Sequence, residues 1–246
     1  MQSKSLTVGL FAVIGLSSVS VADTTLYDQD FENPTGFVND GADVNIFRTV
    51  NDLYGGQPAG FSFAQMFTVE TLFINGTQAF GTGYDDPSGI GGNYALGMLE
   101  GEQDDLLALS FDVQEFDFLN LQMDISSIDL SSWGGPFIPP GGEAPKFRYT
   151  LYDNPSGTVG LGSGTVLDSD EATGTASAPA VFDWTHVSIP LDASLSTNGN
   201  VTLRIDLLEG EYASMDNFFI QSSDDPIPEP TSLGLFALAM IGLRRR

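Results

Sequence analysis

The sequence predicts an all-β fold, an antiparallel β-sandwich, and three observations lead there. Short apolar segments of strand length recur between clusters of Gly, Asn, Asp and Pro. No ten-residue window of the body carries a helical apolar stripe. Eighteen phenylalanines against seven tyrosines and two tryptophans point to a packed interior more than to an aromatic binding surface. In chain order, the strand-like segments are 42–50, 62–74, 94–100, 106–126, 146–153, 182–192, 201–208 and 215–221. Regular alternation is clearest in 201–208: Val201, Leu203, Ile205 and Leu207 share one face, and Thr202, Arg204, Asp206 and Leu208 the other. The 106–126 stretch alternates less regularly but supplies Phe111, Val113, Phe116, Phe118, Leu121, Met123 and Ile125 for two facing sheets. Between these segments, the glycine-rich stretches 81–92 and 157–164 read as turns, 168–171 as a solvated loop, and 131–145 as the longest surface excursion. A short echo, YDDPSG at 84–89 and YDNPSG at 152–157, reads as shared turn chemistry rather than as a repeat.

Composition removes several functions. The 246 residues contain no cysteine and one histidine, His186, which excludes thiolate catalysis, cysteine-ligated metals and multi-histidine sites. A formal charge of -25 repels a phosphate backbone, so nucleic acid is not an expected partner.

Both ends differ from the body. Residues 1–22 carry one charge, Lys4, then the apolar run LTVGLFAVIGL, then SSVSVA with small residues at 20 and 22; this reads as a signal peptide cleaved before Asp23. The body, 23–221, is the sandwich domain. Residues 222–230 form an acidic, proline-spaced linker, and 231–246 a hydrophobic segment ending in Arg244, Arg245 and Arg246. Taking 23–228 alone removes Lys4, Glu229 and the three terminal arginines, so 33 acidic and eight basic residues become 32 and four, and -25 becomes -28.

Pro228-Glu229-Pro230, the apolar segment after it and the terminal arginines together resemble the PEP-CTERM sorting signal of Gram-negative bacteria. That resemblance implies export across the inner membrane, processing by an exosortase-type membrane enzyme, a destination in the cell envelope, outer surface or matrix, and an association with exopolysaccharide. It assigns recognition to Pro228, Glu229 and Pro230 and topology control to Arg244–246. Transient membrane association, as a transmembrane helix, falls to 231–243, although the eleven apolar residues from Leu233 to Leu243 span only about 16 Å as a helix against roughly 30 Å of bilayer core.

The closing segments 184–191, 201–207 and 215–220, with Asp30-Phe31-Glu32 near the start, resemble galactose-binding-like and carbohydrate-binding jelly rolls. The resemblance implies a structural Ca2+ held by Glu32 and Asp216, with Asp30; solvated strand ends are the competing reading. Tyr84, Tyr152 and Trp133, like Tyr54, sit in glycine-rich contexts where an aromatic plane could stack on a sugar ring. The expected function is therefore a non-catalytic exported surface or matrix protein that binds polysaccharide. Its alternative is a glycoside hydrolase or lyase working through a carboxylate pair, for which Glu115 and Asp117 share a strand face by spacing.

Overall fold

The computed structural model describes residues 23–58, 60–64, 69–99, 105–128 and 144–228. Trp133, Glu229, Pro230, Arg244, Arg245 and Arg246 lie outside the described residues, as do the segments 1–22 and 231–246. Among the described residues, twelve strands form two antiparallel sheets. Sheet A contains β1 (Thr24–Gln29), β2 (Val44–Asn45), β4 (Glu70–Phe73), β5 (Tyr94–Leu99), β7 (Phe118–Ser127), β10 (Thr185–Asp192) and β12 (Tyr212–Ser223). Its order is β10-β7-β12-β5-β4-β2, with β1 also on β12. Sheet B contains β3 (Ser62–Phe63), β6 (Leu106–Asp112), β8 (Lys146–Asp153), β9 (Val166–Thr173) and β11 (Asn200–Glu209), in the order β3-β6-β11-β8-β9. The two sheets make a jelly-roll-like sandwich.

The side-chain period of two builds the core between them. Val201, Leu203, Ile205 and Leu207 of β11 meet Phe147, Tyr149 and Leu151 of β8 and Leu107, Leu109 and Phe111 of β6; from sheet A come Leu119, Leu121, Met123 and Ile125 of β7 and Met215, Phe218 and Ile220 of β12. The outward residues of β7, namely Asn120, Asp124 and Ser126, are buried as well. Residues 223–227 cover Asn120, Asn217 and His186 meet Asp124, and Asp183 meets Ser126; beside them on the far side of sheet A, Val44, Leu72, Ile74, Ala95, Ile128, Phe182 and Tyr212 form a second apolar cluster with Trp184 and Tyr84. With both faces covered, β7 has no solvent side to impose regular alternation, which is why its sequence pattern is ragged.

Strand β12 organises sheet A. On one side it pairs with β7 along its length; on the other it pairs with β5 through Tyr212–Met215 and with β1 through Phe218–Ser222. The register shifts between Asp216 and Phe219, where Asn217 adopts φ 53°. Beta-1 and β5 therefore abut nearly end to end beside this bulge. Glu32 stitches the junction: its Oε1 accepts from the Asn93 and Tyr94 amides at 2.8 and 3.3 Å, and its Oε2 accepts from Asn93 Nδ2 at 2.8 Å. Gly92 makes room, since a Cβ there would fall 2.1 Å from Glu32 Oε1.

Several expectations change. The 106–126 segment is two strands separated by a turn, so Glu115 and Asp117 are exposed turn residues and not a pair on one strand face. Residues 168–171 belong to β9, a strand whose side chains are largely exposed and which therefore lacks an apolar stripe. The first strand precedes Asp30-Phe31-Glu32 and ends at Gln29. The expectation of a transmembrane helix is not met among the described residues, where no helix is long and apolar enough to cross a membrane and the helical elements are the single turns Val50–Leu53 and Ala79–Gly81; the segment 231–243 itself lies outside them.

Phe218 is fully buried and meets Tyr27 and Phe31 edge-on, with centroids at 6.4 and 5.3 Å. Phe218→Ala is expected to lower unfolding free energy by about 3–5 kcal/mol in a denaturant titration. Leu195→Ser, at a side chain 79% exposed, should stay within about 0.5 kcal/mol of the parent.

Candidate functional site

The bulge in β12 gathers the acidic residues expected to hold calcium. Asp216 is 1% exposed, and its Oδ1 accepts the Asn217 amide at 2.7 Å. Asn217 Nδ2 donates to Asp124 Oδ2 at 2.9 Å and to the Ile90 carbonyl at 3.3 Å, while His186 Nδ1 lies 3.0 Å from Asp124 Oδ1. Burial pushes the Asp216 carboxyl up to about 9; the Asn217 amide opposes this, and the fields of Glu32, Asp124 and Asp30 add to it. The calcium expectation at Asp30, Glu32 and Asp216 is corrected, because no group of three or more His, Asp or Glu side chains among the described residues could hold a metal ion. Their bonding gives the reason: both Glu32 oxygens are committed to Asn93 and Tyr94, and Asp30 Oδ1 accepts the Glu32 amide at 3.2 Å.

A second carboxyl is buried behind sheet A. Glu70 is 5% exposed and accepts the Tyr212 hydroxyl through Oε2. Burial pushes it up to about 7, with the Tyr212 hydrogen bond opposing. Tyr212 is itself raised, by burial first and then by the Glu70 charge. This pair was not foreseen from sequence; the signal available was a lone glutamate inside the apolar run 69–74.

The aromatic expectation fails where it can be checked. Tyr84 is half-buried among Phe80 and Phe182, with centroids at 6.2 and 5.5 Å, and its hydroxyl donates to the Ala42 carbonyl at 3.3 Å. Tyr152 is 8% exposed, with the Arg204 guanidinium 5.0 Å from its ring centre and the Gly162 backbone so close that a Cβ there would lie 2.3 Å from the ring. Tyr54 is buried too. None of the three presents an open ring face to a sugar.

A cleft forms instead where the loop from β8 to β9, residues 154–165, lies against Ser62 of β3 and Thr202 of β11 in sheet B. It encloses about 250 Å³ and is lined by residues 153–156, 158–164 and Thr202. Asn154 organises it. Its Nδ2 donates to the Thr158 carbonyl at 3.0 Å and to Thr202 Oγ1 at 3.1 Å, and its Oδ1 accepts the Thr158 amide at 3.3 Å. In the 84–89 echo, Asp86 plays the comparable part, accepting the Ser88, Gly89 and Gly91 amides. Shared turn chemistry therefore accounts for the echo. Ser156, Thr158, Ser163 and Thr202 bring hydroxyl-bearing side chains to the cleft, and Asp153 is its one carboxylate. Thr197 holds Asp153 below the usual carboxylate range, through its hydroxyl and then its amide.

At the C-terminal end the fold hands over to a separate signal, with Pro228 exposed as the last described residue. Residues 226–246 match the PEP-CTERM protein-sorting motif. The matched span includes Pro228, Glu229, Pro230 and Arg244–246, and the chain carries this sorting motif behind a β-sandwich. No curated protein matches the chain. Among solved structures it is similar to a cyclase from Fischerella sp., with 16% identity, 83% of this chain and 100% of that one covered, and a TM-score of 0.45. The K3 cleaved adhesin domain of Lys-gingipain from Porphyromonas gingivalis is 13% identical, with 82% and 100% covered and a TM-score of 0.43. The CBM22-1 xylan-binding domain from Paenibacillus barcinonensis is 12% identical, with 83% and 97% covered and a TM-score of 0.37.

The raised carboxyls set a pH dependence. A group whose folded pKa exceeds its unfolded one stabilises fully below the unfolded value, and that stability is lost as pH rises through the folded value. For Glu70 the window runs from its ordinary 4.5 to about 7, and for Asp216 from 3.8 to about 9. Thermal melts should thus show greater stability near pH 5 than near pH 9. Glu70→Gln, which keeps an acceptor for Tyr212, should flatten the decline below pH 7 and leave the part above it; an unchanged profile would remove Glu70 as its source.

Proposed function

We propose that this is a non-catalytic surface or extracellular-matrix protein, exported across the inner membrane of a Gram-negative bacterium and processed by an exosortase-type enzyme, whose sandwich binds polysaccharide. The sorting motif at 226–246 supports the address. It joins an N-terminal segment with the charge, apolar run and small residues of a signal peptide. For the binding reading, the carrying observation is the cleft beside Asn154: hydroxyls, an amide and backbone groups line it, a set that matches the donors and acceptors of sugar hydroxyls.

The same cleft disfavours the hydrolase alternative. Paired-carboxylate glycoside hydrolysis needs a protonated acid and a second carboxylate facing one cleft. Asp153 stands without a second carboxylate in the lining and is held low, the opposite of what a general acid needs. The raised carboxyls, Glu70 and Asp216, are buried and bonded inward to Tyr212 and Asn217. Net charge of -28 on 23–228 further favours neutral over polyanionic glycans at low salt.

A glycan array on the exported chain should detect neutral polysaccharide, and Asn154→Ala, which releases Thr158 and Thr202, should weaken that binding about tenfold or more. Binding to no glycan would overturn the polysaccharide reading. Release of reducing ends from a bound glycan would replace it with the hydrolase.

A further inference from the structure

The chain between the sandwich and the sorting motif does not leave the fold at the end of its last strand. Beta-12 ends at Ser223, yet the following residues turn back across the outer side of β7, where Asn120 holds them. Asn120 is 1% exposed. Its Nδ2 donates to Ser223 Oγ at 2.6 Å and to the Asp225 carbonyl at 3.1 Å, and its Oδ1 accepts the Ile227 amide at 3.1 Å. The Ser223 hydroxyl in turn donates to the Asp225 carbonyl. The backbone partners fix the orientation of the amide, because a carbonyl can only accept and an N–H can only donate. A carboxylate could not make this set, since the bond to the Asp225 carbonyl needs a donor. The last tethered residue is Ile227, inside the matched span 226–246 and directly before Pro228-Glu229-Pro230.

Resting on the sorting reading above, we infer that Asn120 is a positioning residue for tail processing: it clasps 223–227 to β7 and so sets how far the folded body stands from the membrane enzyme that reads Pro228-Glu229-Pro230. With the clasp closed, five residues, 228–232, separate the body from the apolar segment that starts at Leu233. Fully extended they reach about 17 Å. With the clasp open the tether starts at Asp224, and nine residues reach about 31 Å. Closing the clasp thus takes about 14 Å of reach away from the link between the folded body and that apolar segment. A linker shorter than the span it must bridge suppresses the linked encounter, and lengthening it toward that span relieves the suppression. The clasp therefore slows processing of the folded chain.

Two measurements test this on the full chain. A protease that cuts after acidic residues should cleave after Asp224 about fivefold or more faster in Asn120→Ala than in the parent, with Asn120→Asp between them, because three hydrogen bonds no longer oppose local opening. Equal cleavage rates would overturn the clasp without reference to the sorting enzyme. In a host that processes the tail, Asn120→Ala should raise the processing rate about twofold or more. An insertion of Gly-Ser-Gly-Ser between Ile227 and Pro228, with Asn120 intact, should raise it similarly. If the insertion has no effect, or if either variant slows processing, tether length is not what Asn120 controls. If the parent tail is never processed, the sorting reading fails, while the protease measurement still decides the clasp.

Discussion

The pairing of β12 with three neighbours is the constraint on which the rest of sheet A depends. Beta-7 follows it on one side, while β5 and β1 divide the other, and a chain that serves two end-to-end neighbours must change register between them. The bulge at Asp216–Phe219 makes that change, and Glu32 closes the seam from the side of the two abutting strands. Burial of Asp216 follows from the same break, as does the contact of Asn217 with Asp124. What resembles a ligand set in sequence is thus the polar repair of a discontinuity in the sheet. Backbone amides left without ladder partners have to be satisfied somewhere, and the acidic side chains satisfy them.

Burial on the outer side of sheet A is the second organising fact. Loops from 75–93 and 174–184 fold over it and join through a parallel bridge between Asp85 and Val181. Under them lie Tyr212, Glu70 and the stacked Phe182–Trp184 pair, whose rings are 3° from parallel. Sheet B is covered on its outer face only in part, with the β8–β9 loop over Tyr152 and Thr202 while Arg148 stays exposed. The two faces of one sandwich therefore differ in kind, one sealed by apolar packing and one left to hydroxyls and charges.

The sandwich and its best strands were legible because β11 and β8 turn alternate apolar residues to the core and polar ones to the outer side, which writes a period of two directly into 201–207 and 146–151. Beta-9 was not legible: it lies at a sheet edge, where Asp168 and Asp170 take the face of Leu151 and Tyr149 while Ser169 and Glu171 take the other, and nothing apolar marks 168–171 as a strand. The aromatic residues misled for a related reason. Glycine neighbours suggested exposed loops around Tyr84 and Tyr152, whereas the glycines let backbone press against the rings, as Gly162 does on Tyr152. Asn120 gave no local sign at all, since its partners lie more than one hundred positions away. By contrast, Pro228-Glu229-Pro230 and the arginine cluster are readable without a structure because a sorting enzyme reads them as sequence.

The alternation that buries Phe147, Tyr149 and Leu151 also sends Lys146 and Arg148 to the outer side of sheet B, and the same rule sends Arg204 there from β11. Three of the four basic residues of 23–228 thus share one face of a strongly acidic body, with Glu171 and Asp206 beside them. Lys146 and Arg148 share Glu171, and Arg204 is held by Asp206, so each of the three cations sits beside a carboxylate. Strand pleating thus also decides on which face of an acidic body most of its positive charge is kept.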